Sequence, residues 1–348
     1  MNRARVFESV DRMLSPNGLA ELMGGAVESV ERTPLGAAHY SGNMLERVRA
    51  RRGDSASNFV LKRFSIERDW VMRLTHDTQV REAALYRCGV YARMPDEVMV
   101  PVVAAAPDGS EWATLMADVA ESLVPSGSEL VALETVRRFL DHLAAIHARF
   151  MADDSLRDPA LGLSSLVDFV VILSPDTARR EIAEGRTHPV LEWVARGWAA
   201  LETEAAPDVL RVINRMQADP SPLLDRLAVL PHTLLHGDYK FANLGALPDG
   251  RTAILDWQDA AYGPPLLDIG YFLAVNSARL PLSKEAAIQH YRDSLAARGH
   301  AFSDDEWMQM LDVCLMAGGA LRLLWQKSLA AGSDLEWWGE HVLRAGDG

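Results

Sequence analysis

The chain predicts an α+β fold in two lobes, a small antiparallel sheet with one helix followed by a larger, mainly helical part. Three observations carry this expectation. Up to residue 118 the sequence runs in short strand-like segments with turn signals such as Pro107-Asp108-Gly109-Ser110 between them. From Leu130 onward apolar residues recur every three or four positions, at Leu133, Val136, Leu140, Leu143 and Ile146. The length, 348 residues, exceeds the usual single domain, and 49% hydrophobic with 24% charged residues is ordinary globular composition.

The elements follow in order. Ala26 to Val30 and Met44 to Val48 read as strands, linked by Pro34-Leu35-Gly36-Ala37-Ala38-His39-Tyr40-Ser41-Gly42-Asn43. Asn58 to Phe64 alternates as a strand that carries Lys62. A helix is expected to start at an Asp77-Thr78 cap and to run through Val80, Ala84 and Leu85, with Glu82 on it. A hairpin, Val100 to Ala105 and Glu111 to Met116, closes the first lobe, so residues 1–118 and 119–348 are the two expected domains. In the second, Ala199 to Met216 and Asp304 to Leu329 also repeat with helical period.

Chemistry concentrates in one stretch. Thr233-Leu234-Leu235 leads into His236-Gly237-Asp238-Tyr239-Lys240-Phe241-Ala242-Asn243, and Pro248-Asp249-Gly250 then turns the chain back through Thr252-Ala253-Ile254-Leu255 to Asp256. Asp238, at the mouth of a loop, is placed to accept the proton of an attacking hydroxyl. Asn243 and Asp256, 13 residues apart, supply an amide oxygen and a carboxylate. Magnesium accepts that hard-oxygen set when phosphates and water complete its octahedron. His-Gly-Asp alone occurs by chance in turns; the full spacing is far more specific.

The pattern resembles the catalytic loop of the aminoglycoside phosphotransferase and choline-kinase-like superfamily, which shares the protein-kinase-like fold. The continuation Asp256-Trp257-Gln258 to Gly263-Pro264-Pro265-Leu266-Leu267-Asp268 is similar to that family's second signature. The resemblance implies a bilobal protein-kinase-like fold and transfer of the γ-phosphoryl group of ATP, with Mg2+, to a hydroxyl of a small molecule. By the same likeness Asp238 is the base, Asn243 and Asp256 the metal ligands, and Lys62 the phosphate-binding lysine paired with Glu82, or else with Glu67. Asp268 is either a buried brace of the loop or a helix cap. The stretch around Gly36 is either a phosphate cover or an ordinary hairpin loop. Backbone groups near Met116 and Asp118 would meet the adenine edge, although Met116 is equally explained as core. Trp325, Trp337 and Glu340 are candidates for the acceptor pocket, or else pack a terminal helix. Protein kinases follow the metal-binding Asp with Phe-Gly, whereas Trp257-Gln258 stand here, so no flipping activation segment is expected.

Lysine usage points the same way. The chain has four lysines, Lys62, Lys240, Lys284 and Lys327, against 31 arginines. A lysine retained in such a background suits a compact charge on a phosphate oxygen, the part expected of Lys62 and Lys240; Lys284 and Lys327 read as solvated helix positions. Residues 1–118 hold 16 acids and 15 bases, and the remainder 32 acids and 20 bases. That surface disfavours nucleic acid and anionic membrane and suits either general solubility or attraction of a cationic acceptor such as an aminoglycoside or amino sugar. Cys88 and Cys314, far apart, read as small core residues. His142, His147 and His232 read as structural histidines. The N-terminal residues lack a signal-peptide core and no apolar run is long enough to span a bilayer, which leads to a cytoplasmic expectation. Rival readings are a kinase of another metabolite, such as an amino alcohol, a sugar or a hydroxyacyl thioester, a protein kinase, and a nucleotide-binding pseudokinase. Oligomeric state is not encoded in any of these patterns.

Overall fold

A computed structural model describes residues 4–35, 42–186, 188–329 and 334–346. By contacts the chain divides into two units. The first comprises Met1–Leu123, Arg157–Leu163 and Leu244–Gln258, and the second Val124–Leu156, Ser164–Asn243 and Asp259–Gly348. The first unit is therefore assembled from three stretches of chain and not from residues 1–118 alone.

Its main sheet has the order β1 (Ser29–Pro34), β2 (Met44–Arg52), β3 (Ser55–Arg63), β6 (Glu111–Ala117), β5 (Val102–Asp108), all antiparallel; a short strand, β4 (Val98–Met99), precedes β5. Alternation along β2 and β3 turns Val48, Ala50, Phe59 and Leu61 inward. There they meet Val10, Met13, Leu14 and Leu19 from helices α1 (Val10–Leu14) and α2 (Pro16–Met23). β1 begins at Ser29 rather than Ala26, because Gly24-Gly25 and the chain after them do not join the ladder.

Two helices follow β3. The first, α3 (Trp70–Leu74), was not expected; Asp69 caps it by accepting from the N–H groups of Val71 and Met72 at 2.8 and 3.0 Å. The second, α4 (Arg81–Arg87), starts later than the Asp77-Thr78 expectation. Val80 precedes it in the left-handed region (φ 53°), an outlier for a β-branched residue, and Asp77 still serves by accepting from Arg81 N at 2.9 and 2.8 Å.

Strand β7 (Thr233–Leu235) belongs to the second unit. The next two strands, β8 (Leu244–Ala246) and β9 (Thr252–Ile254), belong to the first, where β9 pairs antiparallel with β8 and parallel with β4. The Pro-Asp-Gly signal makes the turn: Gly250 takes φ 91°, and Leu247 N donates to Arg251 O at 2.9 Å.

The second unit is helical apart from β7 and β10 (Ala261–Gly263), which pair antiparallel. Its helices are α5 (Leu133–Arg149), α6 (Leu166–Val171), α7 (Pro175–Ala183), α8 (Pro189–Glu204), α9 (Pro207–Ala218), α10 (Ser221–Ala228), α11 (Leu266–Asn276), α12 (Lys284–Ala297), α13 (Asp304–Cys314), α14 (Leu321–Lys327) and α15 (Leu335–Gly346). Two expectations are corrected. The Ala199 to Met216 pattern is two helices, because Pro207 cannot donate into the end of α8 and instead opens α9. Asp304 to Leu329 is interrupted by a π-helical turn, Leu315–Ala320, where Gly318 and Gly319 lie against the Leu267 and Gly270 carbonyls of α11. By length and mean hydropathy, 1.2, Asp304–Lys327 matches a membrane span, yet 89% of its apolar window is buried inside the fold, as a core helix is.

Candidate active site

In the first unit the site is built on β3. Register places Lys62 between Leu45 on β2 and Thr114 on β6, on the face opposite the inward Leu61. Lys62 is nevertheless 6% exposed, and its Nζ lies 2.8 Å from Glu82 Oε2 and 2.8 Å from Asp256 Oδ1. Burial alone would lower the ammonium's pKa; the two carboxylates outweigh it and hold the group above the ordinary lysine range. Glu82, in the first turn of α4, is 1% exposed, and burial raises its pKa against the pull of Lys62. Glu67 is exposed and plays no part in this pairing.

Asp256 itself has φ 64°, a left-handed conformation that a non-glycine residue adopts at some cost. Its side chain remains 35% exposed beyond the Lys62 contact. Gln258, two residues on, donates through Nε2 to Asp69 Oδ2 at 2.7 Å and accepts at Oε1 from Asn43 Nδ2 at 2.7 Å. Burial, opposed by the Gln258 bond, raises the Asp69 carboxyl to about 6.

Gly36 lies outside the described residues. Met116 is 8% exposed in β6, opposite Val60 and Val102. The Asp118 N–H donates to Asn58 O at 3.2 Å and that of Ala117 to Pro101 O at 2.9 Å. Both donors at this strand exit are therefore engaged by the protein.

The second unit carries the loop His236–Asn243. Gly237 takes φ 80°, and a Cβ there would sit 2.2 Å from the Asp259 carbonyl oxygen, so only glycine fits. Asp238 has both carboxylate oxygens engaged. Oδ1 accepts from Tyr271 Oη at 2.5 Å, and Oδ2 from Lys240 Nζ at 2.6 Å and Asn243 Nδ2 at 2.9 Å. Asn243 Nδ2 also reaches the Asp238 carbonyl at 3.0 Å, so the amide nitrogen, and not its oxygen, makes the bonds to Asp238. Leu244, next in the chain, pairs with Ile254, two residues before Asp256.

Asp268 braces this loop through its backbone. Fully buried in the first turn of α11, it accepts from His236 N and Gly237 N at 2.8 Å each, and from His147 Nε2 at 3.3 Å. Burial would raise its pKa; the His147 bond and the loop N–H groups prevail and hold it below the ordinary carboxylate range. His147 is completed by the Tyr291 hydroxyl at 2.6 Å, a structural histidine as expected. Further along, Tyr239 Oη donates to Phe139 O at 2.8 Å and Phe241 N to Asn276 Oδ1 at 3.0 Å.

Sequence reasoning missed two residues here. Arg322 on α14, 1% exposed, donates to Gly237 O at 2.7 Å and Asp259 Oδ2 at 3.0 Å while its guanidinium stacks 4.6 Å from the Tyr271 ring. Tyr271 stands three residues after Asp268, a helical spacing that puts both on the face towards the loop. That spacing was a readable signal; nothing in the sequence marks Arg322 among 31 arginines.

Other residues fall elsewhere. Lys284 and Lys327 are not solvated: Lys284 pairs with Asp334 at 2.6 Å and lies over the Trp337 ring, and Lys327, 7% exposed, bonds Ser277 and lies 3.6 Å from Asp334. The long stems of both are used to dock α15. Trp325 is buried and donates to Arg322 O at 2.7 Å, Trp337 bonds Glu285, and exposed Glu340 lies 3.7 Å from Arg344. Cys314 is core as expected, whereas Cys88 is exposed where α4 ends. Among the described residues no group of three or more His, Cys, Asp and Glu is arranged to hold a metal.

A kinase-type lysine and glutamate pair, and a His-Gly-Asp loop braced by a buried aspartate, on this fold define a kinase of small molecules. The chain belongs to the phosphotransferase enzyme family, which it matches over residues 39–307. Solved structures share the fold at low identity. An ethanolamine kinase of Plasmodium vivax aligns with TM-score 0.54 and 12% identity over 97% of this chain and 87% of that one. Amicoumacin kinase hAmiN aligns with TM-score 0.52 and 12% identity over 96% and 95%, and a choline kinase of Cryptosporidium parvum with 0.50 and 8% over 90% and 87%. No curated protein matches the chain significantly.

Proposed function

We propose that this enzyme transfers the γ-phosphoryl group of ATP to a hydroxyl of a small molecule, with Mg2+ as the metal. The observation that carries the reading is Lys62, buried and 2.8 Å from both Glu82 and Asp256. A lysine so held is an oriented point charge, suited to phosphate oxygens. The structure of hAmiN was solved with AMP-PNP, which supports a nucleoside triphosphate as donor.

The first unit takes the nucleotide, with Lys62 on its phosphates, Glu82 orienting that lysine, and the strand exit at Met116 and Asp118 facing the adenine. Gly36 belongs to the segment assigned to cover the phosphates. In the second unit, which takes the acceptor, Asp238 receives the acceptor proton, and Lys240 offsets charge on the transferring group. Asn243 and Asp256 are the magnesium ligands; one amide and one carboxylate fit an ion that keeps phosphate oxygens and water for its other positions. When bound, the ion supplies charge neutralisation of the phosphates. Positioning by the braced loop supplies most of the remaining acceleration.

The acceptor is assigned to the cationic alcohols. Two similar structures are named for ethanolamine and choline, and residues 119–348 carry 32 acids against 20 bases. The location assigned is cytoplasmic, where ATP and magnesium are at hand. A coupled ADP-release screen over aminoglycosides, amino sugars, amino alcohols, plain sugars and hydroxyacyl thioesters tests this. Turnover confined to the uncharged sugars or the thioesters would overturn the cationic assignment, and no turnover beyond slow ATP hydrolysis would point to a nucleotide sensor.

A further inference from the structure

The turn that follows Asp256 is held in a way the phosphotransfer motif does not require. Gln258 is 4% exposed and has both ends of its amide matched, Nε2 to Asp69 and Oε1 to Asn43, at 2.7 Å each. Its main-chain carbonyl accepts from the Arg81 guanidinium, itself 1% exposed. The residue before it, Trp257, donates its backbone N–H to Glu82, and its ring, 1% exposed, packs 5.8 Å from Tyr91. Residues 43, 69, 81 and 82 thus grip two consecutive residues, and the residue immediately upstream, Asp256, sits in the left-handed region at φ 64°.

A buried side chain that merely filled space would be apolar, because an amide in the interior must find partners for donor and acceptor alike. Gln258 finds both, from segments 215 and 189 residues away in sequence, and Asp69 is itself fixed as the cap of α3. The amide therefore has one direction. With Trp257 also fixed, the backbone torsion of Asp256 has no slack, and its carboxylate is aimed with one oxygen on Lys62.

We propose that Gln258 is a positioning residue for Asp256: by joining Asn43 to Asp69 it locks the turn after Asp256 and presets that carboxylate for the divalent cation and the nucleotide bound with it. This rests on the magnesium role assigned to Asp256 above. It also gives a reason why a Trp-Gln pair stands where protein kinases have Phe-Gly: the pair removes the freedom that a glycine would leave.

The test is calorimetric binding of ADP with and without Mg2+, which needs no turnover. For the unsubstituted protein, magnesium is expected to tighten ADP binding. In Gln258→Ala that gain should shrink about tenfold, as expected when a ligand must be ordered on binding instead of beforehand. ADP affinity without metal should stay within about twofold of the unsubstituted value, since Lys62 and the adenine slot are untouched. Asn43→Ala removes one of the two amide bonds and should lose about threefold of the gain, and it serves if Gln258→Ala does not fold. Variants that melt earlier but keep the full magnesium-dependent gain would show that Gln258 only stabilises the fold, and the proposal would be wrong. Absence of any magnesium effect in the unsubstituted protein would instead remove the metal role of Asp256, and this inference with it.

Discussion

The two units hold their candidate site groups by different means. In the first, buried charges are fixed by one another: Lys62, Glu82 and Asp256 form a triad, and Gln258 ties Asp69 to Asn43 beside it. In the second, one buried carboxylate, Asp268, holds a loop by its main chain, and Asp238, the proposed base, is aimed by short bonds from Tyr271, Lys240 and Asn243. The first arrangement depends on charge balance, so any neutralisation propagates. The second separates the brace, Asp268, from the proposed base, Asp238, so the two can fail independently.

Substitutions break this contrast to different degrees. The largest effect is expected for Asp238→Ala, which should lower kcat about 10^3- to 10^4-fold while leaving ADP affinity unchanged; near-normal turnover would show that another group takes the proton. Asp268→Ala orphans two buried N–H groups and His147 and should cost about 3–5 kcal/mol, read as a fall in the denaturant midpoint. Lys62→Met should weaken kcat/KM for ATP about 10^2- to 10^3-fold, and, unlike Asp238→Ala, it should also lower stability because Glu82 and Asp256 lose their shared counter-charge.

Acidity acts on the first unit through Asp69. Asp69 has its carboxyl raised to about 6 from an ordinary 3.8, so the native state favours the protonated form. Its contribution is then fully present below about pH 4 and is lost as pH rises through 6. Compared with Asp69→Asn, the unsubstituted protein should lose about 3 kcal/mol of relative stability between pH 4 and pH 8, and parallel stability curves for the two would contradict this. The smallest effect is expected for Tyr271→Phe, about tenfold in kcat with KM for ATP constant, from the loss of one bond to Asp238.

Much of this was legible in the chain itself, for local reasons. The Pro-Asp-Gly turn set the β8–β9 return, alternation set the face of Lys62, and spacing from Asp256 to Asp268 marked the second signature. What escaped depends on distance. Val80 adopts a costly conformation because Asp77 and the packed helix over-determine it. Gln258 and Arg322 matter only through partners 189 and 85 residues away, and no local propensity reports such contacts. Lys284 and Lys327 looked like surface positions because their partner Asp334 lies beyond the end of the helical pattern.

The π-helical turn Leu315–Ala320 has a consequence of its own. Compared with a regular helix it contains an extra residue, and each residue advances a helix by about 100°. The wider turn absorbs that residue, so excising it would restore unbroken α-helix and leave Arg322 in the phase that faces Gly237 and Tyr271. A natural variant one residue shorter at this point would thus keep the Arg322 bond to the Gly237 carbonyl, and a gap there in an alignment would mark a straightened helix and not a lost contact.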